Sequence, residues 1–381
     1  MTFRVLSARN VVLLLRNRSG PGPVSTLKAV AFTQQTIKIV HHPKQVRRRR
    51  NLARVAVALA VAPNHKPHPM KKVLYGFLIS ALFVPILNCS MTKTVVRGAI
   101  DYMTDSREVF ERETDIEIGK ISLASNLKIL ETMANEDPEN YQLNLFLAEI
   151  FSIYSLAFVE DEMDRLADID FEESEYHKTR AIRLYDRASA YAYKILEKTL
   201  GNPAKLERLN DKKIKEKLDL LEEKEMPALF WYAYSRAASM NLQKDDMNAL
   251  VAMPLVIVMM NKIIEWDDKF YFGGGYLFKG LYYGARPVII GGNAEKSKVA
   301  FEKALKISKR KVLLIPYLYA KTYCVQFQDS ECFVKNLEYV LNAPDDLFPE
   351  QSLANEVAKY KARRLLKKKD ELFFDLSDEN F

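Results

Sequence analysis

Few residues in this chain have the types and spacing to do chemistry. Histidine is the usual acid–base group near neutral pH, and five occur in 381 residues. Four of them, His41, His42, His65 and His68, fall in the first 69 residues. The remaining His177 sits in a charged run, where a lone histidine is far more often a surface residue than a catalyst. No His-Glu-x-x-His, Cys-x-x-Cys or Gly-x-Ser-x-Gly is present, so no zinc protease helix, dithiol centre or serine elbow is spelled out. Carboxylates are common, but a chain with 28% charged residues needs them for its surface. No donors cluster at metal-ligand spacing. The expectation is a protein that is not an enzyme and uses no metal or cofactor.

The glycine-rich stretch "YFGGGYLFKGLYYGARPVIIGG", 271–292, is the sharpest remaining candidate. It holds seven of the thirteen glycines and six aromatic residues. A phosphate loop needs Gly-Lys-Ser/Thr after its spacer, but Lys279 lies between Phe278 and Gly280. A dinucleotide fingerprint needs glycine where Phe278 stands. The stretch therefore reads as a close-packing device beside aromatic side chains. Gly280 and Gly284 lie four apart on one helix face. Gly273–Gly275 would end one helix pair, and Pro287, Gly291 and Gly292 would make a tight turn into the next helix. Tyr271, Tyr276, Tyr282 and Tyr283, with Trp231 and Tyr234, are the candidate lining of a cavity. Aromatic walls with few charges suit a small apolar or amphipathic organic ligand.

The net charge of +8 would suggest an anionic partner, but its distribution excludes nucleic acid as a partner of the main body. Residues 1–69 carry thirteen Lys/Arg and no acid, whereas 70–381 carry 44 Lys/Arg against 49 Asp/Glu. At Met70 the composition changes to "MKKVLYGFLISALFVPILNCS", a basic start, fifteen uncharged residues (73–87) and Cys89. This order is that of a secretory signal, too short for a comfortable span. A cysteine closing it resembles a bacterial lipobox, with Asn88 standing where that pattern has Gly, Ala or Ser. The reading is lipidation at Cys89, a signal over 70–89, and 1–69 as upstream or disordered basic sequence. Ser90 favours the outer over the inner membrane. Cys324 and Cys332 are equally consistent with a disulfide in an oxidising periplasm and with two free thiols.

Beyond a linker at 90–104, residues 105–375 read as helix after helix, before a tail at 376–381. Apolar residues recur at three and four, and breakers fall between the runs. Candidate pairs are 141–158 with 178–198, 227–241 with 246–266, and 311–327 with 331–342, with helices at 105–135 and 350–371 capping the ends. Tetratricopeptide repeats place a small residue, an aromatic four on and Ala three further. Ala181, Tyr185 and Ala188 fit, as do Ser297, Phe301 and Ala304. Gly280 and Tyr283 match the first helix of that second pair, with about five residues inserted at the turn. Asn293 is placed to cap the helix that follows. The run 249–260 is apolar on every side and reads as a buried helix, with Pro254 in its first turn or at a kink. The acidic run 160–180 reads as a solvated extension, and 205–225 as an exposed helix. The fold class expected is all-α, a compact α-solenoid of tetratricopeptide-like hairpins.

Four segments in order resemble the T component of tripartite ATP-independent periplasmic (TRAP) transporters. They are "EDPENYQLNLFLAEIFSIYSLAFVEDE", "RAIRLYDRASAYAYKIL", "ALFWYAYSRAASMNL" with "NALVAMPLVIVMMNKIIEWD", and the glycine stretch continued to "AEKSKVAFEKALKIS". The resemblance covers about 105–345. It implies a periplasmic lipoprotein of cryptic repeats with a ligand-accessible cavity. Its partners would be a periplasmic substrate-binding protein, a small organic ligand, the membrane through the lipid, and further copies of itself. The competing reading is a helical-repeat scaffold for envelope assembly.

Overall fold

The computed structural model describes residues 91–244, 246 and 249–373. The expectations for 1–69, for the signal with its Cys89, and for the tail lie outside the described residues.

Short polar side chains start several of the helices. Asp115 accepts from the Glu117 and Ile118 amides, Asn140 from Leu143, Asp170 from Glu173 and Asn293 from Lys296. Each satisfies first-turn N–H groups that have no partner within the helix. The chain runs through α1 (91–105), α2 (Ile116–Glu136), α3 (Tyr141–Tyr154), α4 (Phe171–Leu200), α5 (Asp211–Leu218) and α6 (Met226–Leu242). It continues through α7 (Met253–Trp266), α8 (Phe270–Gly284), α9 (Ala294–Ile307), α10 (Leu314–Tyr319), α11 (Ser330–Leu341) and α12 (Ser352–Leu366). Shorter helices lie between them, and no strand occurs among the described residues. The all-helical class expected from periodicity is the observed one.

Neighbouring helices pack as hairpins, α3 on α4, α6 on α7, α8 on α9 and α10 on α11. The small and aromatic positions picked out by spacing form the seams. Ala181, Tyr185, Ala188, Ser297, Phe301 and Ala304 are all fully buried. One apolar cluster joins α1, α2, α3 and the first half of α4. A second joins the end of α4 with α5, α6 and α7, and a third lies among α9 to α12. Tyr191 and Tyr234 pack against both of the first two. The run Tyr141–Leu166 is long and apolar enough to cross a membrane by length and composition, but 72% of its apolar 18-residue window is buried inside the fold. It serves as a core helix.

The last helix returns to the first ones. Leu353 and Val357 of α12 belong to the α1–α4 cluster. Gly119 on α2 admits Leu353 so closely that an added Cβ would lie 2.6 Å from its side chain. Polar contacts complete this closure. Lys361 Nζ donates to the Leu156 carbonyl at 2.7 Å, inside a π-helical turn over Ser155–Val159. Such a turn shifts the normal helical ladder and exposes carbonyls to other donors. Arg364 pairs with Asp161, and Lys321, on a second π-turn over Ala320–Cys324, pairs with Asp164.

Five local expectations are corrected. Residues 91–104, expected as a linker, belong to α1, because Val96 and Ile100 join the buried cluster of α2 and α3. The segment 205–225 breaks into short helices whose Leu206, Ile214, Leu218 and Leu221 are buried, because α7 packs across them. The acidic run is solvated only in part, since Asp161 is buried and Glu160 and Asp164 are paired inside. Within 251–260 burial is not all-round, with Val251 57% exposed, and Pro254 lies in the first turn of α7. The break expected at Gly273–Gly275 does not close the previous pair, since α7 ends at Trp266, but falls at the start of α8, where Gly273 completes a left-handed kink with Tyr271 and Phe272.

Cys324 and Cys332 are joined in a disulfide with Cα atoms 5.7 Å apart, tying the second π-turn to α11. Cross-linking residues eight apart is expected to contribute about 2 kcal/mol through the entropy of the unfolded chain. Thermal melts with and without a thiol reductant test this. A drop of several degrees on reduction is expected, and coincident melts would remove the bridge from the stability of the fold.

Candidate functional site

The glycine stretch positions the site through its backbone. At the start of α8, Tyr271 (φ 45°, ψ 54°), Phe272 (φ 59°, ψ 30°) and Gly273 (φ 82°, ψ 31°) are all left-handed. Two aromatic residues in this region carry strain that only surrounding packing can hold. The packing is close because glycines permit it. A Cβ on Gly274 would lie 2.7 Å from the Phe230 ring, and one on Gly275 2.5 Å from Ile264. The helices α6 and α7 thereby reach the kink itself.

This kink turns Tyr271 onto the aromatic face of α6. Its ring centroid lies 4.9 Å from Trp231 and 5.5 Å from Phe230. Trp231 meets Tyr234 edge-on at 5.6 Å, and Phe270 meets Phe230 at 5.3 Å. Edge-to-face pairs of this kind suit the quadrupoles of the rings. Trp231 forms the floor at 3% exposure, while Tyr271 stays 37% exposed. Protein nevertheless encloses Tyr271 deeply enough that burial, then Glu149, pushes its phenol well above its ordinary pKa. Tyr271 therefore stands at the accessible edge of an aromatic cluster whose floor is Trp231.

Charged groups that spacing did not pick out, Arg107, Glu149 and Glu111, act on Tyr271 electrostatically. Arg107 donates to Glu149 at 2.5 Å and pairs with Glu111 at 3.1 Å. Burial opposes the guanidinium charge, but the two carboxylates together hold its pKa above the usual value. Burial raises Glu149 and Glu111 above the usual carboxylate range despite Arg107. On the far side of Tyr234, the Tyr185 hydroxyl donates to Glu160, whose carboxyl burial also raises. The pair Lys321–Asp164 lies beyond it. Glu149 carried one legible signal, since it is the single charged residue in α3.

Among the sequence candidates, the structure brings Trp231, Tyr234 and Tyr271 together. Tyr276, Tyr282 and Tyr283 take other partners. Lys303 lies 4.6 Å from the Tyr276 ring, Arg286 4.4 Å from Tyr282 and Lys296 5.4 Å from Tyr283. Gly280 and Gly284 face Phe301 and Ser297 of α9, and Ser297 donates to the Gly280 carbonyl at 2.8 Å. Pro287, Gly291 and Gly292 make the turn. Gly291 is left-handed at φ 95°, and the Gly292 amide donates to the Pro287 carbonyl at 3.0 Å. A separate groove of about 900 Å³, walled by Arg310, Glu331, Lys335, Glu338 and Tyr339, contains none of the sequence candidates.

The site therefore joins an aromatic cluster on α6 and α8 to a buried ion cluster around Arg107. Residues 112–373 match the family described as TRAP transporter T-component. The chain belongs to that family, and its role is that of an accessory component associated with other TRAP components. A protein of Treponema pallidum, described as uncharacterized, is 22% identical over 272 residues, which is 71% of this chain and 84% of that protein.

Proposed function

We propose that the chain is a lipid-anchored periplasmic accessory protein that holds a small organic solute in its aromatic recess. It exchanges that solute with the periplasmic substrate-binding protein of a TRAP system, binding it without chemical change. The observation that carries this reading is the accessible yet enclosed Tyr271, set by a strained kink against Trp231 and Tyr234. Strain of this kind persists where function uses it. The basic start, apolar run and Cys89 of residues 70–89 support export and anchoring, and Ser90 favours the outer membrane.

Native mass spectrometry of the protein extracted in detergent from its own host tests the whole reading. The expected spectrum shows an N-terminal lipidated Cys89 and a discrete small-molecule mass that denaturation removes. The same spectrum gives the number of copies and any substrate-binding protein carried along. An unlipidated chain with residues 1–69 attached would overturn the anchor. A ligand-free mass with only protein partners would replace the solute reading with the scaffold one.

A further inference from the structure

We infer that the outward face of α1, formed by Met91, Val95, Gly98 and Tyr102, lies on the surface of a lipid bilayer. This inference rests on the lipid anchor proposed at Cys89 and says which side of the fold meets the membrane. The four residues follow one another at helical spacing, so they occupy about 60° of the helix circumference. Met91 and Val95 are each 66% exposed, and Tyr102 is 73% exposed. A Cβ added at Gly98 would have nothing within 4 Å, so the space above the stripe is open.

α1 is inverted relative to a solvated surface helix. Its opposite face is buried through Val96 and Ile100. Its two cations turn to the fold, with Arg97 donating to Asp137 at 2.8 Å and Lys93 lying 3.6 Å from the same carboxylate. A helix with water on its outer side carries polar residues there, and α1 carries apolar ones. The acids Asp101 and Asp105 flank the stripe only at its far end. There Tyr102 supplies a ring with a polar tip, suited to the headgroup level. α1 therefore enters the interface at its first turns and leaves it near Asp105. Chain position selects lipid as the occupant. Cys89 precedes Met91 by two residues, so the stripe begins within about 7 Å of the anchored residue. An amphipathic helix held there buries its apolar face at the boundary of headgroups and acyl chains.

Tryptophan fluorescence tests this on the lipidated protein, extracted in detergent and reconstituted into phosphatidylethanolamine–phosphatidylglycerol vesicles with brominated acyl chains. Val95→Trp, Tyr102→Trp and Asp101→Trp are compared with the parent, whose Trp231 and Trp266 give the background. Asp101 is exposed and lies about 100° round the helix from Tyr102. Bromine is expected to quench the added fluorescence at positions 95 and 102 at least about twofold more than at 101. Two stripe positions keep the test decisive if one variant folds poorly. Equal quenching at all three positions would mean that the tether alone brings α1 near lipid, and would overturn the seated face. Vesicle flotation with no quenching at 95 and 102 would overturn it too while leaving the anchor standing, and a blue-shifted emission would then point to a second copy or another protein on this face. A chain that does not float with the vesicles removes the anchor, and this inference with it.

Discussion

Replacing Arg107 with methionine is expected to lower stability by about 3 kcal/mol near neutral pH, because it leaves a buried carboxylate without its partner. The figure is the low end for a broken buried pair, since the Arg107 side chain is 41% exposed and water screens part of its charge. The pH dependence identifies the cause. Burial already raises Glu149 in the intact protein, against the opposing pull of Arg107. Without Arg107 its folded pKa rises further, while its unfolded value stays that of an ordinary carboxyl. Between those two values the folded state binds the extra proton, so stability falls as pH rises through the window. The variant should therefore lie close to the parent at about pH 5 and be fully destabilised at about pH 8. Urea unfolding at both pH values measures this. Adding Glu149→Gln should recover most of the loss, because a neutral amide removes the unpaired charge. A deficit of equal size at both pH values would mean that packing of the Arg107 stem on Phe146, where the guanidinium lies 5.9 Å from the ring, outweighs the electrostatics.

Helix existence and the repeat seams were legible because their signals are local. Ala181, Tyr185 and Ala188 share one helix face within eight residues, and burial of that face needs only a neighbour of the right shape. Asn293 could be read as a cap because the helix it starts follows immediately. The kink at Tyr271 was not legible. Three glycines in a row normally announce a stop, and here they permit a close approach from Phe230 and Ile264, which other helices supply. The charges that act on Tyr271 were hidden for a related reason. Arg107 lies 42 residues before Glu149, and Lys321 lies 157 residues after Asp164. An acidic run looks solvated until the fold brings its cations back from the far end of the chain. What spacing could find was the aromatic half of the site, because Trp231 and Tyr234 sit three apart on one helix.

Adding one methyl group at Gly280 is expected to cost about 3 kcal/mol, the upper end for overpacking a buried seam. An ideal Cβ there would lie 2.8 to 3.0 Å from three atoms of the Phe301 ring. That ring has no way to retreat. It is fully buried, and its other face stacks on Tyr319 with centroids 4.6 Å apart. Helix propensity favours alanine over glycine by up to about 1 kcal/mol, so a net loss must come from the clash between α8 and α9. The seam is also held by the Ser297 hydroxyl on the Gly280 carbonyl, and separating the helices would break that bond. A double-mutant cycle isolates the contact. Phe301→Leu alone should destabilise by removing ring area, but in the Gly280→Ala background it opens space for the methyl. The double variant should then be more stable than the sum of the single losses by at least about 1 kcal/mol. Additive losses would show that the two helices already have room between them. The same distinction decides whether the glycines of this stretch are there for their backbone or for their size. At Gly280 the helix is regular, so size is the remaining reason, whereas at Gly273 the left-handed backbone supplies the reason by itself.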